Sequence, residues 1–391
     1  MMQIERSAAD RGAYLLDKLR NPRFDYLGKL FRQGGRDALR DLVAGNARAP
    51  LVVDFDPTTA CNFSCPECIS ADLLNKDKIP SERIDELMRE FAAAGVQGIV
   101  FIGGGEPLAH ACMPKPIRQA YELGMSVGLT TNGSLIPRHL GTLAECCHWT
   151  RVSMDAGSEK TFLIFRPNKI KNSFNLIVKG MEDLAKAKQG ALGYSFVLMN
   201  RLEGGKLLSN ASEVYEAARL AKSIGCDYFE LKPMLDMHHS LIPFAGRTAD
   251  VVREELEKAT SLCGDGFDVV TTASIFHMER NTSTSQVKTY HTCPTMELRT
   301  TVTPSGIYPC AYHRGREDLK LGTVYDGPFN VFWISDERRE AAAKVDPTEH
   351  CSFYCARHRM NQVVLSLADL KREGIDLLSY IREVEVLDVF I

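Results

Sequence analysis

The sequence predicts an α/β fold: a partial (β/α)6 barrel with helices at its amino end and a small α+β unit at its carboxyl end. Short apolar segments alternate with amphipathic helical segments six times between residues 51 and 232. Such alternation is typical of a parallel sheet with right-handed crossovers. Apolar residues also recur at helical spacing before residue 50, and a hairpin pattern with four cysteines follows residue 290.

The first fifty residues are basic and show helical periodicity but no strand pattern. Their apolar positions at helical spacing are Leu15, Leu16, Leu19, Leu27, Leu30 and Phe31. We therefore expect a helical extension that precedes the barrel.

Each of the six repeats begins with a short strand that is rich in apolar residues. The predicted strands are 51–56, 98–103, 126–131, 150–156, 191–200 and 226–232. The predicted helices between them are 81–94, 113–124, 136–147, 173–188 and 210–223. Six units are two short of a complete eight-fold barrel, which favours a partial one.

The alternation is lost over residues 233–290. A Pro-Ser-Gly turn at 304–306 then separates two short strand patterns and indicates a β-hairpin. Helical patterns follow at 327–345 and 366–385, with a loop at 350–355 between them. The predicted units are an N-terminal helical extension (1–50), the partial barrel (51–245), a linker at the substrate site (246–290) and an auxiliary unit with a closing helix (291–391).

Composition excludes several classes of protein. The 391 residues are 45% hydrophobic and 25% charged, which is typical of a globular chain. A net charge of −3 gives no electrostatic footprint for nucleic acid, and no apolar run is long enough to span a membrane. The N-terminus shows no secretory signal pattern, so we expect a cytoplasmic protein. In that compartment, twelve cysteines indicate metal or redox chemistry rather than disulfides.

Three of these cysteines, Cys61, Cys65 and Cys68, are spaced C-x3-C-x2-C directly after the first strand. Loops at the carboxyl ends of barrel strands carry the chemistry of such folds. Three thiols are one too few for a closed zinc site or a fully ligated [4Fe–4S] cluster. The spacing therefore favours a cluster with one open iron; a zinc knuckle completed by a distant residue is the structural alternative.

This motif, at this place in a six-unit barrel, resembles the radical S-adenosylmethionine (radical SAM) enzymes. The resemblance implies that the open iron binds SAM and that reductive cleavage of SAM yields a 5′-deoxyadenosyl radical, which abstracts a substrate hydrogen. It also implies a flavodoxin- or ferredoxin-like electron donor. One departure is Glu67, which stands where the family usually has an aromatic residue near the adenine.

Further segments at strand ends match the family's SAM contacts. Gly104-Gly105-Glu106-Pro107 resembles the GGEP motif, in which the glutamate accepts from the SAM amino group. Ser153 and Asp155 lie two apart, hence on one strand face. The cofactor contacts that the resemblance implies are Gly104, Gly105, Glu106, Asn132, Ser153, Asp155, Arg166 and Asn200. Each has a structural alternative: a turn, a surface polar pair or an exposed arginine.

A second set of thiols, Cys293, Cys310, Cys351 and Cys355, lies in the carboxyl-terminal region. Four thiols can fully ligate one [4Fe–4S] cluster, with a structural zinc site as the alternative. The pattern resembles the auxiliary domain called twitch, or SPASM in its longer form. Because no cysteine follows Cys355, we expect one auxiliary cluster rather than two.

The other cysteines include three packing candidates, Cys146, Cys147 and Cys226, while Cys112 gives no signal. Cys263 falls in the unassigned stretch and is our candidate hydrogen donor if the reaction is an epimerisation. Glu230 and Lys232 share one face of strand six, where they can either contact the substrate or form a structural ion pair.

These observations predict a radical SAM oxidoreductase with an auxiliary cluster as electron acceptor. The expected reaction is oxidation or epimerisation of an aminocyclitol- or sugar-like small molecule. Modification of a ribosomally made peptide is the alternative; residues 1–50 are short for a peptide-recognition domain, which favours a small molecule. A non-catalytic iron–sulfur electron carrier is the alternative from another class, but it would not need Glu106, Ser153 and Arg166.

Overall fold

One mixed sheet dominates the computed structural model, which describes residues 26–31, 33–46, 48–235, 248–271 and 286–376 and positions 275, 378 and 390. The strands are β1 (Val52–Phe55), β2 (Gly98–Phe101), β3 (Ser126–Thr131), β4 (Trp149–Ser153), β5 (Ala191–Leu198), β6 (Asn200–Glu203), β7 (Lys206–Ser209), β8 (Tyr228–Pro233), β9 (Asp268–Thr271), β10 (Arg299–Thr303) and β11 (Gly306–Tyr308). Their order across the sheet is β11-β10-β1-β2-β3-β4-β5-β8-β9, and β6 and β7 form a separate hairpin.

Helices connect the parallel strands and cover the outside of the sheet. They are α1 (Tyr26–Leu30), α2 (Gln33–Val43), α3 (Ser81–Ala94), α4 (Lys115–Glu122), α5 (Ile136–Cys146), α6 (Glu159–Phe165), α7 (Ser173–Ala187), α8 (Val214–Ile224), α9 (Thr248–Thr260), α10 (Phe329–Trp333), α11 (Asp336–Ala343), α12 (Pro347–His350) and α13 (His358–Arg372).

The six predicted strands are confirmed as β1, β2, β3, β4, β5 and β8, and all their neighbouring pairs are parallel. Two further parallel strands extend the sheet beyond this prediction. On one edge β9 pairs with β8, and on the other β10 pairs with β1. Within the described residues, the antiparallel pair of this sheet is β10–β11, the predicted hairpin.

The two faces of the sheet differ in character. On the outer face, Phe55 of β1 meets Phe101 of β2 and Phe91 of α3 edge to face, with ring centroids 5.8 and 6.1 Å apart. Each fully buried side chain of this kind contributes about 1.5–3 kcal/mol. On the inner face, Val52 belongs to a second apolar cluster with Leu39 of α2 and side chains of α13. The helices α2 and α13 thus close the amino end of the barrel.

The sequence pattern predicts that the alternation of strands and helices ends at residue 232. In the structure it continues beyond that residue. The stretch 246–290, predicted as a linker, contains α9 and β9. The helical periodicity of α9 is hard to recognise in the sequence because many of its residues are charged. Its few buried positions include Val252, Leu256 and Ala259. With four residues, β9 is too short for its periodicity to be recognised.

Two predicted helices near the carboxyl end have other bounds. The pattern over 327–345 is two helices, because the Ser335 side chain accepts from the Arg338 backbone N–H and starts α11 anew. The closing helix predicted at 366–385 is α13, which begins at His358 and ends at Arg372. The positions 377 and 379–389, like the helical pattern at Leu15, Leu16 and Leu19, lie outside the described residues.

No helix in the described ranges has the length and apolar character needed to cross a membrane.

Tight packing inside the barrel gives a stability prediction. A Cβ on Gly193 of β5 would lie 2.1 Å from Cζ of Tyr228, on the paired strand β8. Gly193→Ala should therefore destabilise the protein by about 1–3 kcal/mol, the usual cost of overpacking. Thermal unfolding of the purified chain measures this change.

The matched control is Gly141→Ala, at an exposed position of α5 where an added Cβ meets no atom within 4 Å. It should stabilise the chain by up to about 1 kcal/mol, the difference in helix propensity. Equal effects of the two substitutions would contradict the packing described here.

Candidate functional site

The cysteine loop, residues 61–68, follows the carboxyl end of β1. Cys61 is exposed, Cys65 and Cys68 are half-buried, and all three thiols are free. The Phe63 backbone N–H lies 3.5 Å from the Cys61 sulfur. The loop thus presents its thiols at the barrel mouth.

Neighbouring loops hold this loop in place. The Asn132 side-chain amide donates to Asn62 Oδ1 at 2.8 Å, and the Asn62 amide donates to the Ser134 hydroxyl at 2.9 Å. On the other side, the Ser64 backbone N–H donates to Pro167 O at 3.0 Å. Asn132, predicted as a SAM contact, therefore ties the loop after β3 to the cysteine loop. Asn62 is a positioning residue that the sequence analysis missed.

Glu106 is buried at the end of β2 and accepts hydrogen bonds from three internal donors. They are the Thr131 hydroxyl at 2.7 Å, the Asn132 backbone N–H at 2.7 Å and the Leu108 backbone N–H at 3.1 Å. Burial raises the pKa of this carboxyl group, although these donors oppose the shift. Because a carboxylate offers about four lone-pair sites, one acceptor site is left for a further donor at the mouth.

The two predicted glycines permit a close approach of loops. A Cβ on Gly105 would lie 2.2 Å from the Ala60 carbonyl oxygen, and the Glu106 backbone N–H donates to that same oxygen at 2.8 Å. The Gly104 N–H donates to Asp56 Oδ2 at 2.9 Å. The GGEP segment thus lies directly against the residues that lead into the cysteine loop.

Asp155 is fully buried and forms an ion pair with Arg166, whose side chain is 14% exposed. The Arg166 Nε donates to Asp155 Oδ2 at 2.6 Å, and Asp155 Oδ1 accepts from the Val197 backbone N–H at 2.7 Å. The Arg166 guanidinium also lies 4.0 Å from the Cys65 sulfur. The Arg166 guanidinium, predicted as a SAM contact, is thus positioned by Asp155 beside the cysteine loop.

The prediction that Ser153 and Asp155 share a strand face is wrong. Ser153 is the last residue of β4, and Asp155 follows it with a left-handed φ of 56°. Strand alternation therefore no longer applies, and the Asp155 carboxylate turns toward β5.

Asn200, predicted to close strand five, instead begins the β6–β7 hairpin, because β5 ends at Leu198. Its Oδ1 atom is buried without a hydrogen-bond partner in the described part of the chain. The next residue, Arg201, forms an ion pair with Glu67 at 2.5 Å. Glu67, which departs from the family pattern, thus joins the β6–β7 hairpin to the cysteine loop.

A polar network crosses the barrel interior. Glu230 of β8 is buried and accepts from Arg151 of β4 at 3.1 Å, and Lys232 lies 3.3 Å from the same carboxylate. Burial by itself raises the pKa of Glu230. The positive charges of Lys232 and Arg151 outweigh burial and hold this pKa below its usual range. Burial lowers the pKa of the Lys232 amine. The ion pair that the sequence analysis considered is therefore formed, with Lys232 nearer the carboxyl ends of the strands.

Cys263 lies at the wrong end of the barrel for a hydrogen donor. It follows α9 and precedes β9, so it lies at the amino ends of the parallel strands β8 and β9. Its sulfur accepts from the Val269 backbone N–H at 3.3 Å. The prediction failed because the unrecognised α9 returns the chain to the end of the sheet opposite the cysteine loop.

The remaining cysteines lie apart from both thiol sets. Cys146, Cys147 and Cys226 are buried in the main core, which confirms packing. Cys112 is half-buried, with its sulfur 3.0 Å from Nδ1 of His110.

The second thiol set is assembled from three segments of the carboxyl-terminal region. Cys351 is buried, and Cys293, Cys310 and Cys355 are half-buried. Burial raises the pKa of the Cys351 thiol, and the other three thiols add to this shift because their charges would repel its thiolate. The four predicted thiols therefore lie near one another.

Arginines join this region to β1. Arg299 donates to Asp54 at 2.6 Å and Arg357 lies 3.7 Å from the same carboxylate, while Arg314 donates to Asp56 at 3.1 Å. Burial by itself raises the pKa of Asp54. The arginines, of which Arg299 has the largest effect, outweigh burial and hold this pKa below its usual value. Burial raises the pKa of Asp56 to about 6 in spite of Arg314. No local sequence pattern indicates these contacts.

Residues 55–201 match the family model of the Radical SAM superfamily. These residues are a radical SAM domain. They include the cysteine loop, Glu106, Asp155 and Arg166. Members of this superfamily bind a [4Fe–4S] cluster and SAM.

Curated relatives match different shares of the chain. A SAM-dependent nucleotide dehydratase of Lacinutrix mariniflava is 32% identical over 34% of this chain and 28% of its own length. A GTP 3',8-cyclase of Rhizobium etli is 31% identical over 36% of this chain and 41% of its own length. The chain thus spans less than half of these relatives. The mycofactocin maturase MftC of Mycobacterium tuberculosis is 23% identical over 73% of this chain and 70% of its own length.

Solved structures resemble the chain over more of its length. SuiB of Streptococcus suis, solved with the precursor peptide SuiA, superposes with a TM-score of 0.57 at 16% identity over 78% of this chain and 69% of SuiB. The protein anSMEcpe, solved with bound AdoMet, superposes with a TM-score of 0.54 at 15% identity over 85% of this chain and 100% of its own. At these identities the likeness shows the fold, an α/β partial barrel with a largely parallel sheet.

The donor set of the radical SAM domain fits the cofactors of its family. Three free thiols on one loop, with the Arg166 guanidinium beside them and Glu106 at the next strand end, suit a cluster and the charged groups of SAM. In the described residues, no three or more His, Cys, Asp and Glu side chains are arranged as a group that could hold a metal ion. The fit therefore rests on the chemistry of these side chains.

The Glu67–Arg201 pair gives a second stability prediction. The Glu67 side chain is 4% exposed, and its Oε2 atom has no hydrogen-bond partner among the described residues. Arg201→Ala would leave this carboxylate uncompensated and should cost about 1–3 kcal/mol in the free energy of unfolding. Urea denaturation of the purified chain measures this loss.

Arg219→Ala is the matched control, because its partner Glu216 is exposed and such surface pairs contribute about 0–1 kcal/mol. The double variant Glu67→Gln/Arg201→Ala should recover part of the loss. An Arg201→Ala effect no larger than the control's would contradict the buried pair.

Proposed function

We propose that the chain is a radical SAM oxidoreductase that dehydrogenates or epimerises a hydroxyl-bearing small molecule of the aminocyclitol or sugar class. The observation that supports this proposal is the presence of two separate thiol sets, one on the loop after β1 and one of four neighbouring cysteines in the carboxyl-terminal region. A second thiol set is expected where the reaction must remove an electron from the substrate after hydrogen abstraction.

Particular residues would hold the cofactors. Cys61, Cys65 and Cys68 would ligate the SAM-binding cluster, with Glu106 toward the SAM amino group and Arg166 toward its carboxylate. An auxiliary cluster of the twitch type would be held by Cys293, Cys310, Cys351 and Cys355. When bound, these groups supply one-electron chemistry: removal of a hydrogen atom from carbon and acceptance of the remaining electron.

Oxidation of a carbinol to a ketone also releases a hydroxyl proton, and the chain must accept it. Lys232 is suited to this role because burial lowers the pKa of its amine and because it lies near the carboxyl end of β8. Glu230 orients the amine, and Arg151 holds Glu230 in place from β4. We therefore assign Lys232 Nζ as the proton acceptor, with Glu230 as its positioning residue.

A peptide substrate is the second candidate. It is favoured by the match to a mycofactocin maturase, which spans 73% of this chain, whereas the nucleotide dehydratase and the cyclase match about a third. Mass spectrometry of the product separates the candidates: a small molecule lighter by two hydrogens or epimerised supports our proposal, and a crosslinked or decarboxylated peptide overturns it. In either case we propose a flavodoxin- or ferredoxin-like protein as the electron donor.

The class of reaction is tested by SAM cleavage. Anaerobically reconstituted chain with dithionite and SAM should form 5′-deoxyadenosine, and Cys61→Ala should abolish this product. Cys351→Ala should keep cleavage but lose coupled substrate turnover, because its thiol lies in the second set. Cys226→Ala, a core thiol away from both sets, is the matched control. Absence of 5′-deoxyadenosine from a chain with intact clusters would exclude the enzyme and favour an electron carrier.

The proton acceptor is tested by Lys232→Met. Loss of the general base should lower product formed per 5′-deoxyadenosine by about 10²-fold or more. In the wild type this ratio should rise with pH toward a plateau that begins below pH 10.5, the ordinary pKa of lysine, because only the neutral amine accepts a proton. Lys186→Met, at an exposed position of α7, should leave the ratio unchanged. A pH dependence retained in Lys232→Met would contradict the assignment.

A further inference from the structure

Polar N–H donors surround the second thiol set. His313 is 2% exposed, and its Nε2 atom lies 3.3 Å from the sulfur of Cys351, which is 9% exposed. A ligating thiolate carries no proton, so in such a contact the imidazole is the donor. None of the motifs identified in the sequence includes this histidine.

Two cysteine-bearing segments fix the His313 ring. His313 is the last residue of a short 3₁₀ turn, Ala311–His313, which directly follows Cys310. The His313 backbone N–H donates to Cys310 O at 3.0 Å. Its ring packs edge-on against Phe353, with centroids 5.6 Å apart. Because Phe353 lies between Cys351 and Cys355, the ring is held from both sides of the thiol set.

A second donor approaches another sulfur. The Asn361 side-chain amide lies 3.5 Å from the Cys293 sulfur. Its Oδ1 accepts from the Thr295 backbone N–H at 3.0 Å, which orients the NH₂ group toward Cys293. Asn361 is buried, so this contact is shielded from water.

Positive charge lies close to the same sulfurs. Lys288 Nζ donates to Phe353 O at 2.8 Å, and Phe353 lies between Cys351 and Cys355 in the chain. Arg357 follows Cys355 by two residues. Donors to sulfur and nearby cations stabilise the more negative, reduced state of an iron–sulfur cluster and so raise its reduction potential.

We propose that His313 donates a hydrogen bond to the Cys351 sulfur and that Asn361 donates one to the Cys293 sulfur. Together these hydrogen bonds would raise the reduction potential of the auxiliary cluster, so that this cluster can accept the substrate electron. The inference rests on the proposed function, because it requires an auxiliary cluster at these cysteines. In it, His313 is a positioning and tuning residue, not a ligand. An auxiliary cluster held by these cysteines would accept one electron from the substrate radical and so be reduced by one electron.

The test is a redox titration followed by electron paramagnetic resonance on the full chain with Cys61, Cys65 and Cys68 changed to Ala, which leaves the second thiol set to hold iron. His313→Phe in this background should shift the reduction midpoint to lower potential at unchanged iron content. His313→Gln, whose amide can donate, should recover part of the shift. His139→Phe, on α5 in the outer helical layer, should leave the midpoint unchanged.

An unchanged midpoint in His313→Phe overturns the inference. Loss of iron from both His313 variants also overturns it, because His313 would then be needed to hold the cluster rather than to tune it. If the background without loop cysteines binds no iron while the wild type binds one cluster, the proposed function itself fails, and this outcome is distinct from failure of the inference.

Discussion

Strand β1 is the element on which both halves of the molecule depend. It pairs with β2 of the radical SAM domain on one side and with β10 of the carboxyl-terminal region on the other. Asp54 of this strand and Asp56 directly after it are buried, and they pair with Arg299, Arg314 and Arg357. A buried carboxylate without such partners would be strongly destabilising, so β1 and the carboxyl-terminal arginines must be assembled together. The cysteine loop follows this strand, so the strand fixes where the loop begins.

The site is organised by internal pairs before any ligand is present. Glu106 accepts from three donors, and Asp155 is paired with Arg166. Such pairing fixes the orientation of the charged groups, which lowers the reorganisation needed when a charged cofactor binds. The same principle applies beyond β10, where His313 and Asn361 direct N–H groups at sulfurs. N–H groups therefore approach sulfurs in both thiol sets.

Sequence reasoning succeeded where the determining interaction is local. Six strands, the hairpin and the position of the cysteine loop follow from periodicity, turn residues and thiol spacing, which neighbouring residues encode. Sequence reasoning failed where a contact with a residue distant in the chain determines the position of a side chain. Asp155 leaves the strand geometry because its carboxylate meets Arg166 and the β5 backbone, and Cys263 lies at the amino end of the sheet because α9 and β9 continue the alternation. The partners of Glu67 and Asp54 lie 134 and 245 residues away, beyond any local pattern.

The central claim is that one chain holds two iron–sulfur clusters, one for SAM and one for the substrate electron. Anomalous diffraction from crystals of the anaerobically reconstituted chain, collected on both sides of the iron absorption edge, tests it most directly. We expect two four-iron peaks, one beside Cys61, Cys65 and Cys68 and one enclosed by the four carboxyl-terminal cysteines. A single iron peak at the cysteine loop, with a peak at the zinc edge beside Cys351 and Cys355, would contradict it.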